Sequence, residues 1–166
     1  MDEGLLILRM VAGPVMAAHG AQKLFGWFGG YGFAGTGGFF EMLGFRPGRV
    51  FAAAASTAEI LGGLLIAAGL LGPIGPALVF ATMIVAAVSV HWHNGLFAAT
   101  NGIEVPLLFA AISATLALTG PGAYSLDAAT GLAALWTHEV AWGALAVGAI
   151  GGVANLVARR PAPVEA

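Results

Sequence analysis

The chain contains no cysteine, which excludes disulfides, thiolate metal sites and any thiol relay within its 166 residues, although a partner could bring one. Charge is nearly as scarce. Six basic and eight acidic side chains make up 8% of the residues, against 59% hydrophobic, and the mean hydropathy is +0.91. So few charges could not cover the surface of a soluble domain of this length, and the chain reads as one integral membrane domain. A net charge of −2 with no basic stripe argues against nucleic acid as a partner. A cleavable signal peptide is not expected either. Asp2 and Glu3 stand where a positive leader would begin, and the apolar stretch that follows contains Arg9.

What is present is a series of apolar stretches. Residues 5–25 supply about 20 positions at ~1.5 Å each, enough for a hydrocarbon core of ~30 Å. That stretch nevertheless carries Arg9, His19 and Lys23, with Gln22 beside them. At helical spacing Arg9, Gly13, Met16, Gly20 and Lys23 share one stripe, with His19 at its edge, so this face should turn toward other helices and not toward lipid. The second span, 50–71, places Ala52, Ala55, Ser56, Glu59, Gly62 and Gly63 on one small-residue face. An unpaired carboxylate at mid-membrane costs about 2.5–3.5 kcal/mol or more, so Glu59 needs a partner or a proton. Centring two antiparallel spans puts Arg9 and His19 about five residues to either side of it, which makes Arg9 the expected partner. Such a pair would either fix helix register or act in function.

Residues 26–49 are too glycine-rich to span. Thr36 is expected to cap a short helix through Phe39, Phe40, Met42 and Leu43, ending at Gly44. This segment reads as an interfacial or re-entrant loop, or as a lid over a lipid-soluble ligand. The third span, 77–92, aligns Thr82, Ala86, Ser89 and His93 and is expected to fray before Asn94, leaving His91, Trp92 and His93 at the boundary. Two histidines alone are weak evidence for a metal, and none is expected. Glu104 and Pro106 open the fourth span, 105–119, so Glu104 is expected to meet His91 or His93. The fifth, 140–157, carries Ala144, Gly148 and Gly152, a stripe suited to contact within the chain or in a homo-oligomer. A Pro/Ala tail after Arg160 is expected to be disordered. With five spans Lys23, Arg46, Arg49, Arg159 and Arg160 all fall on one side, so the N-terminus is expected outside and the C-terminus in the cytoplasm.

The order of these motifs resembles the DoxX family of small bacterial membrane proteins. The resemblance rests on His19-Gly20 with Gln22-Lys23-Leu24-Phe25, Ala58-Glu59 with Leu61-Gly62-Gly63, and Val90-His91-Trp92 with Asn94-Gly95. It continues through Glu104 with Pro106-Leu107-Leu108, and Gly120-Pro121-Gly122 with Tyr124-Ser125-Leu126-Asp127, covering about residues 4–127. It implies an all-α, four-helix membrane core over residues 1–127 in the bacterial inner membrane. Residues 128–166 then form an extension with a fifth transmembrane helix and a short cytoplasmic tail. His93 falls at a variable position of the family pattern, which favours His91. Relatives include the DoxD-type subunit of a thiosulfate:quinone oxidoreductase, so a place in a membrane redox complex is implied by analogy.

For function, Arg9, His19, Lys23 and Glu59 are candidates to bind a quinone within the bundle, with His91 and Glu104 as a proton route to the cytoplasm. No flavin fingerprint or cysteine cluster is visible, so a partner subunit would deliver the electrons, and the chain is not expected to catalyse alone. No covalently bound cofactor is expected. The alternatives are a membrane anchor for soluble redox enzymes and a small proton-conducting transporter. Haem held by His19 and His91 is the least favoured.

Overall fold

Glycine decides how closely the first two long helices approach. In this computed structural model, which describes residues 1–160, α1 (Asp2–Phe25) runs antiparallel to α3 (Gly48–Ala68). A Cβ on Gly13 would lie 2.6 Å from the Gly63 carbonyl oxygen, and one on Gly20 2.7 Å from that of Ser56. Contact this close is possible only between small residues. The buried faces are those expected: Arg9, Gly13, Met16 and Gly20 on α1, and Ala52, Ser56, Glu59, Gly62 and Gly63 on α3. Asp2 and Glu3 sit at the positive end of the α1 dipole and Lys23 at the negative end, and Gly26 closes the helix in the left-handed conformation.

Between them, α2 (Gly32–Met42) packs on α1 and α3. Thr36 does not cap it. The helix starts earlier, at Gly32, and the Thr36 hydroxyl lies inside it, donating to the Lys23 carbonyl at 3.0 Å. α4 (Ile74–Ala86) loses α-helical geometry before the end expected at Asn94. It continues through a π-helical turn, Ala87–His91, and a 3-10 turn, Trp92–Asn94. There follow α5 (Glu104–Thr119), the short α6 (Leu126–Thr130) and α7 (His138–Val157), whose first turn is capped by the Thr137 hydroxyl. Met16, Ile66, Val79, Met83 and Leu116 form the core between α1, α3, α4 and α5.

Among the described residues, four helices are long and apolar enough to cross a membrane: Asp2–Phe25, Gly48–Ala68, Ile74–Asn94 and His138–Val157. The expected fourth span, α5, is shorter. Its 16 residues reach about 24 Å. Gly120 ends it on one side, and on the other the loop before it turns back, with Ile103 and Glu104 N–H groups donating to the Gly95 and Leu96 carbonyls. α7 lies against α4. A Cβ on Gly148 would come within 2.7 Å of the Ala77 carbonyl oxygen, and one on Gly152 within 2.9 Å of that of Ala81. These two members of the small-residue stripe are therefore occupied within one chain. The expected Pro/Ala tail, residues 161–166, lies outside the described residues.

Candidate functional site

Arg9 is 3% exposed, and its guanidinium is satisfied by backbone. Nε donates to the Ile66 carbonyl at 3.0 Å, Nη2 to those of Ala67 at 3.1 Å and Tyr124 at 3.0 Å, and Nη1 to Pro121. Ile66 and Ala67 belong to the last turn of α3, where carbonyls outnumber backbone donors, although the Gly69 N–H also reaches Ile66 at 3.1 Å. Asp127, fully buried, completes this end by accepting the Leu71 and Gly72 N–H groups at 2.9 and 2.6 Å. The expected Arg9–Glu59 pair does not form. Register is set by the Gly13–Gly63 and Gly20–Ser56 approaches and not by centring the spans, and it brings Arg9 level with Gly69. Asp127 stood in the sequence only as the last residue of the motif Tyr124-Ser125-Leu126-Asp127, with no role attached.

Glu59 is paired with Lys23, whose ammonium lies on both carboxylate oxygens. The Glu59 side chain is 3% exposed and that of Lys23 31%. The lysine stem thus crosses apolar surface while its head meets the carboxylate from the open side.

This pair stands on the wall of a cavity of about 970 Å³ lined by α1, α2, α3, α4 and α7. His19, Gln22 and His91 line it too, as do Thr36, Phe39 and Phe40 of α2. The Gln22 amide nitrogen donates to the Phe28 carbonyl, so its oxygen faces His19 Nδ1 at 3.2 Å. That oxygen can only accept, as can the Asn101 carbonyl 2.8 Å from His91 Nδ1. Both imidazoles therefore donate from Nδ1, which leaves Nε2 as the nitrogen turned to other partners. Ser89 and His91, both within the π-helical turn, line this cavity as well.

Four of the six expected site residues thus meet here: His19, Lys23, Glu59 and His91. Arg9 and Glu104 do not line the cavity. Glu104 does not meet a histidine, because the loop between α4 and α5 folds in between and its carboxylate accepts the Ala98 N–H at 2.7 Å. Gln22, Thr36, Asn101 and Asn155 were not foreseen as site residues; Gln22 was legible from its i, i+3 spacing to His19, whereas the other three reach the cavity only through the packing of separate segments. Among the described residues no group of three or more His, Cys, Asp or Glu could hold a metal ion.

The DoxX family model matches residues 4–92, more than half of the chain. The chain belongs to the DoxX family. The DoxX match contains Arg9, His19, Lys23, Glu59 and His91, while Glu104, Asp127 and α7 lie beyond it. It ends well short of residue 127, to which the motif resemblance extends. In this DoxX protein, then, the pair and both histidines lie in the matched part, and one edge of the cavity, with Gly151 and Asn155, comes from outside it. No curated protein and no solved structure matches the chain significantly.

Proposed function

We propose that this DoxX protein is a membrane subunit of a redox complex and holds a quinone or quinol ring beside α1 and α3, while a partner protein supplies the electrons. The observation that carries this reading is the Lys23–Glu59 pair, with His19, on the wall of an otherwise largely apolar cavity. Ligand sites combine apolar walls with a few convergent polar groups, and span about 300–1,000 Å³. At about 970 Å³ this cavity has room for a ring and part of a tail. A bound quinone would supply carriage of electrons and protons together. The chain's own groups would orient it and handle the protons. The Lys23 ammonium has donors beyond those spent on Glu59 and can bind a ring carbonyl, and His19 Nε2 can accept a ring hydroxyl proton. His91 lies on the same cavity nearer the end where Arg46, Arg49, Arg159 and Arg160 gather, which this reading takes as the cytoplasmic side.

Photolabelling with an azido-quinone in lipid nanodiscs tests the proposal. Saturable labelling of α1 or α3 that falls in both His19→Ala and Glu59→Gln is the expected result. Full labelling and full complex activity in both variants overturn it. The anchor reading then takes its place, favoured by the exposed Arg46, before α3, and Arg49, in its first turn. Charge reversal at those two residues would then release the soluble partner.

A further inference from the structure

α3 and α7 both pack on α4 but hardly touch each other, which leaves a gap between them along the α4 surface. This gap is continuous with the cavity that holds Lys23 and Glu59. Ala54 and Ala58 of α3, Leu78 and Ala81 of α4, and Gly151 of α7 line it without a charge among them. Gly151 differs from its neighbours. Gly148 and Gly152 are needed for contact with α4, whereas a Cβ on Gly151 would meet nothing within 4 Å. A glycine inside a helix costs about 1 kcal/mol relative to alanine. Neither packing nor backbone conformation asks for it here, and what it leaves is room.

The end of the gap near the basic cluster is shut. Arg159 Nε donates to the Leu43 carbonyl at 3.0 Å, the Arg160 N–H to that of Gly44 at 2.7 Å, and the Arg159 guanidinium lies 5.5 Å from the Phe45 ring centre. The side is open, with Ala54 and Asn155 both exposed along helices long enough to span a membrane. What reaches this opening is therefore lipid and what dissolves in lipid.

We propose that the gap takes the apolar tail of the ligand, that the ligand enters sideways from the bilayer, and that Gly151 sets the width of the entrance. The substrate class is then a quinone bearing an alkyl or isoprenoid tail. The inference rests on the reading that a ring binds beside Lys23 and Glu59. The uncharged walls and the open side suit a tail, and continuity with the polar pair makes it part of the same molecule.

The test uses the full chain in phospholipid nanodiscs with two probes sharing one ring, a benzoquinone with a decyl tail and the same ring without it. Gly151→Phe fills open space and should weaken binding of the decyl probe about tenfold, per mole of lipid, while leaving the tailless ring unchanged. Gly151→Ala should bind both probes as the parent does. Ala54→Phe, on the opposite wall, should repeat the selective loss, so the test survives if one variant misfolds. Equal weakening of both probes, or of neither, overturns the entrance. If the parent protein binds neither ring, the ring site itself has failed and the tail groove falls with it.

Discussion

The Lys23 ammonium caps both oxygens of the Glu59 carboxylate and so joins the last turn of α1 to the middle of α3. The other cation of the same stripe, Arg9, is held entirely by backbone carbonyls. Two basic residues on one helix face therefore have separate tasks.

Removing Lys23 should strand a buried carboxylate. Lys23→Ala is expected to destabilise by about 3–5 kcal/mol, and Glu59→Gln by less, because it keeps the shape and removes the charge. In a double-mutant cycle followed by unfolding in detergent, Lys23 and Glu59 should couple by about 0.5–3 kcal/mol, while Arg9 and Glu59 add within about 0.5 kcal/mol. Coupling of Glu59 to Arg9 instead would contradict the pairing.

Arg9→Lys should not be tolerated as a conservative change. A lysine cannot serve carbonyls of α3 and of the segment after α5 at once, and a loss of about 2 kcal/mol or more is expected. Asp127→Ala leaves the Leu71 and Gly72 N–H groups unpaired and should cost about 1–3 kcal/mol. Neither residue lines the cavity, so probe binding by the folded fraction should be unchanged in both variants.

The close approach of α1 and α3 can be tested by adding one carbon. Gly13→Ala or Gly63→Ala would place that carbon against backbone of the facing helix and should cost about 1–3 kcal/mol. Gly143→Ala, where nothing lies within 4 Å, should be neutral or stabilising by up to about 1 kcal/mol. Melting temperatures of the three variants in one detergent decide it.

If His91 carries protons, His91→Ala should slow partner-supported turnover several-fold with probe affinity unchanged, and added imidazole should restore part of the rate. Glu104→Gln should leave turnover intact, because that carboxylate holds the Ala98 N–H and lies off the cavity. Loss of turnover in Glu104→Gln would put the route elsewhere.

Asp127 binds Leu71 and Gly72, which places the turn after α3 and the start of α6 at one end of the bundle. Reporter fusions after Pro73 and after Asp127 should therefore give the same reading. The basic residues gathered at the opposite end predict that this reading is external. Opposite readings at the two sites would contradict the fold, and two internal readings the orientation.

Composition and helical spacing by themselves determined that this chain is a membrane bundle, which faces of α1 and α3 are buried, and that His19, Lys23 and Glu59 turn inward. These follow from local periodicity and from the cost of facing charge toward lipid. Only the tertiary structure decided which charge meets which. The α1–α3 register depends on where glycines let two backbones touch, and the register adopted exchanges Arg9 for Lys23 as the partner of Glu59. The placing of His91, whose Nδ1 meets the Asn101 carbonyl, and of Glu104, whose carboxylate takes the Ala98 N–H, likewise depends on how the loop between α4 and α5 folds, which helical spacing does not encode. The roles of Asp127 and Gly151 were illegible for a related reason. One is defined by the turn it holds and the other by the space it leaves, and neither exists until the helices have packed.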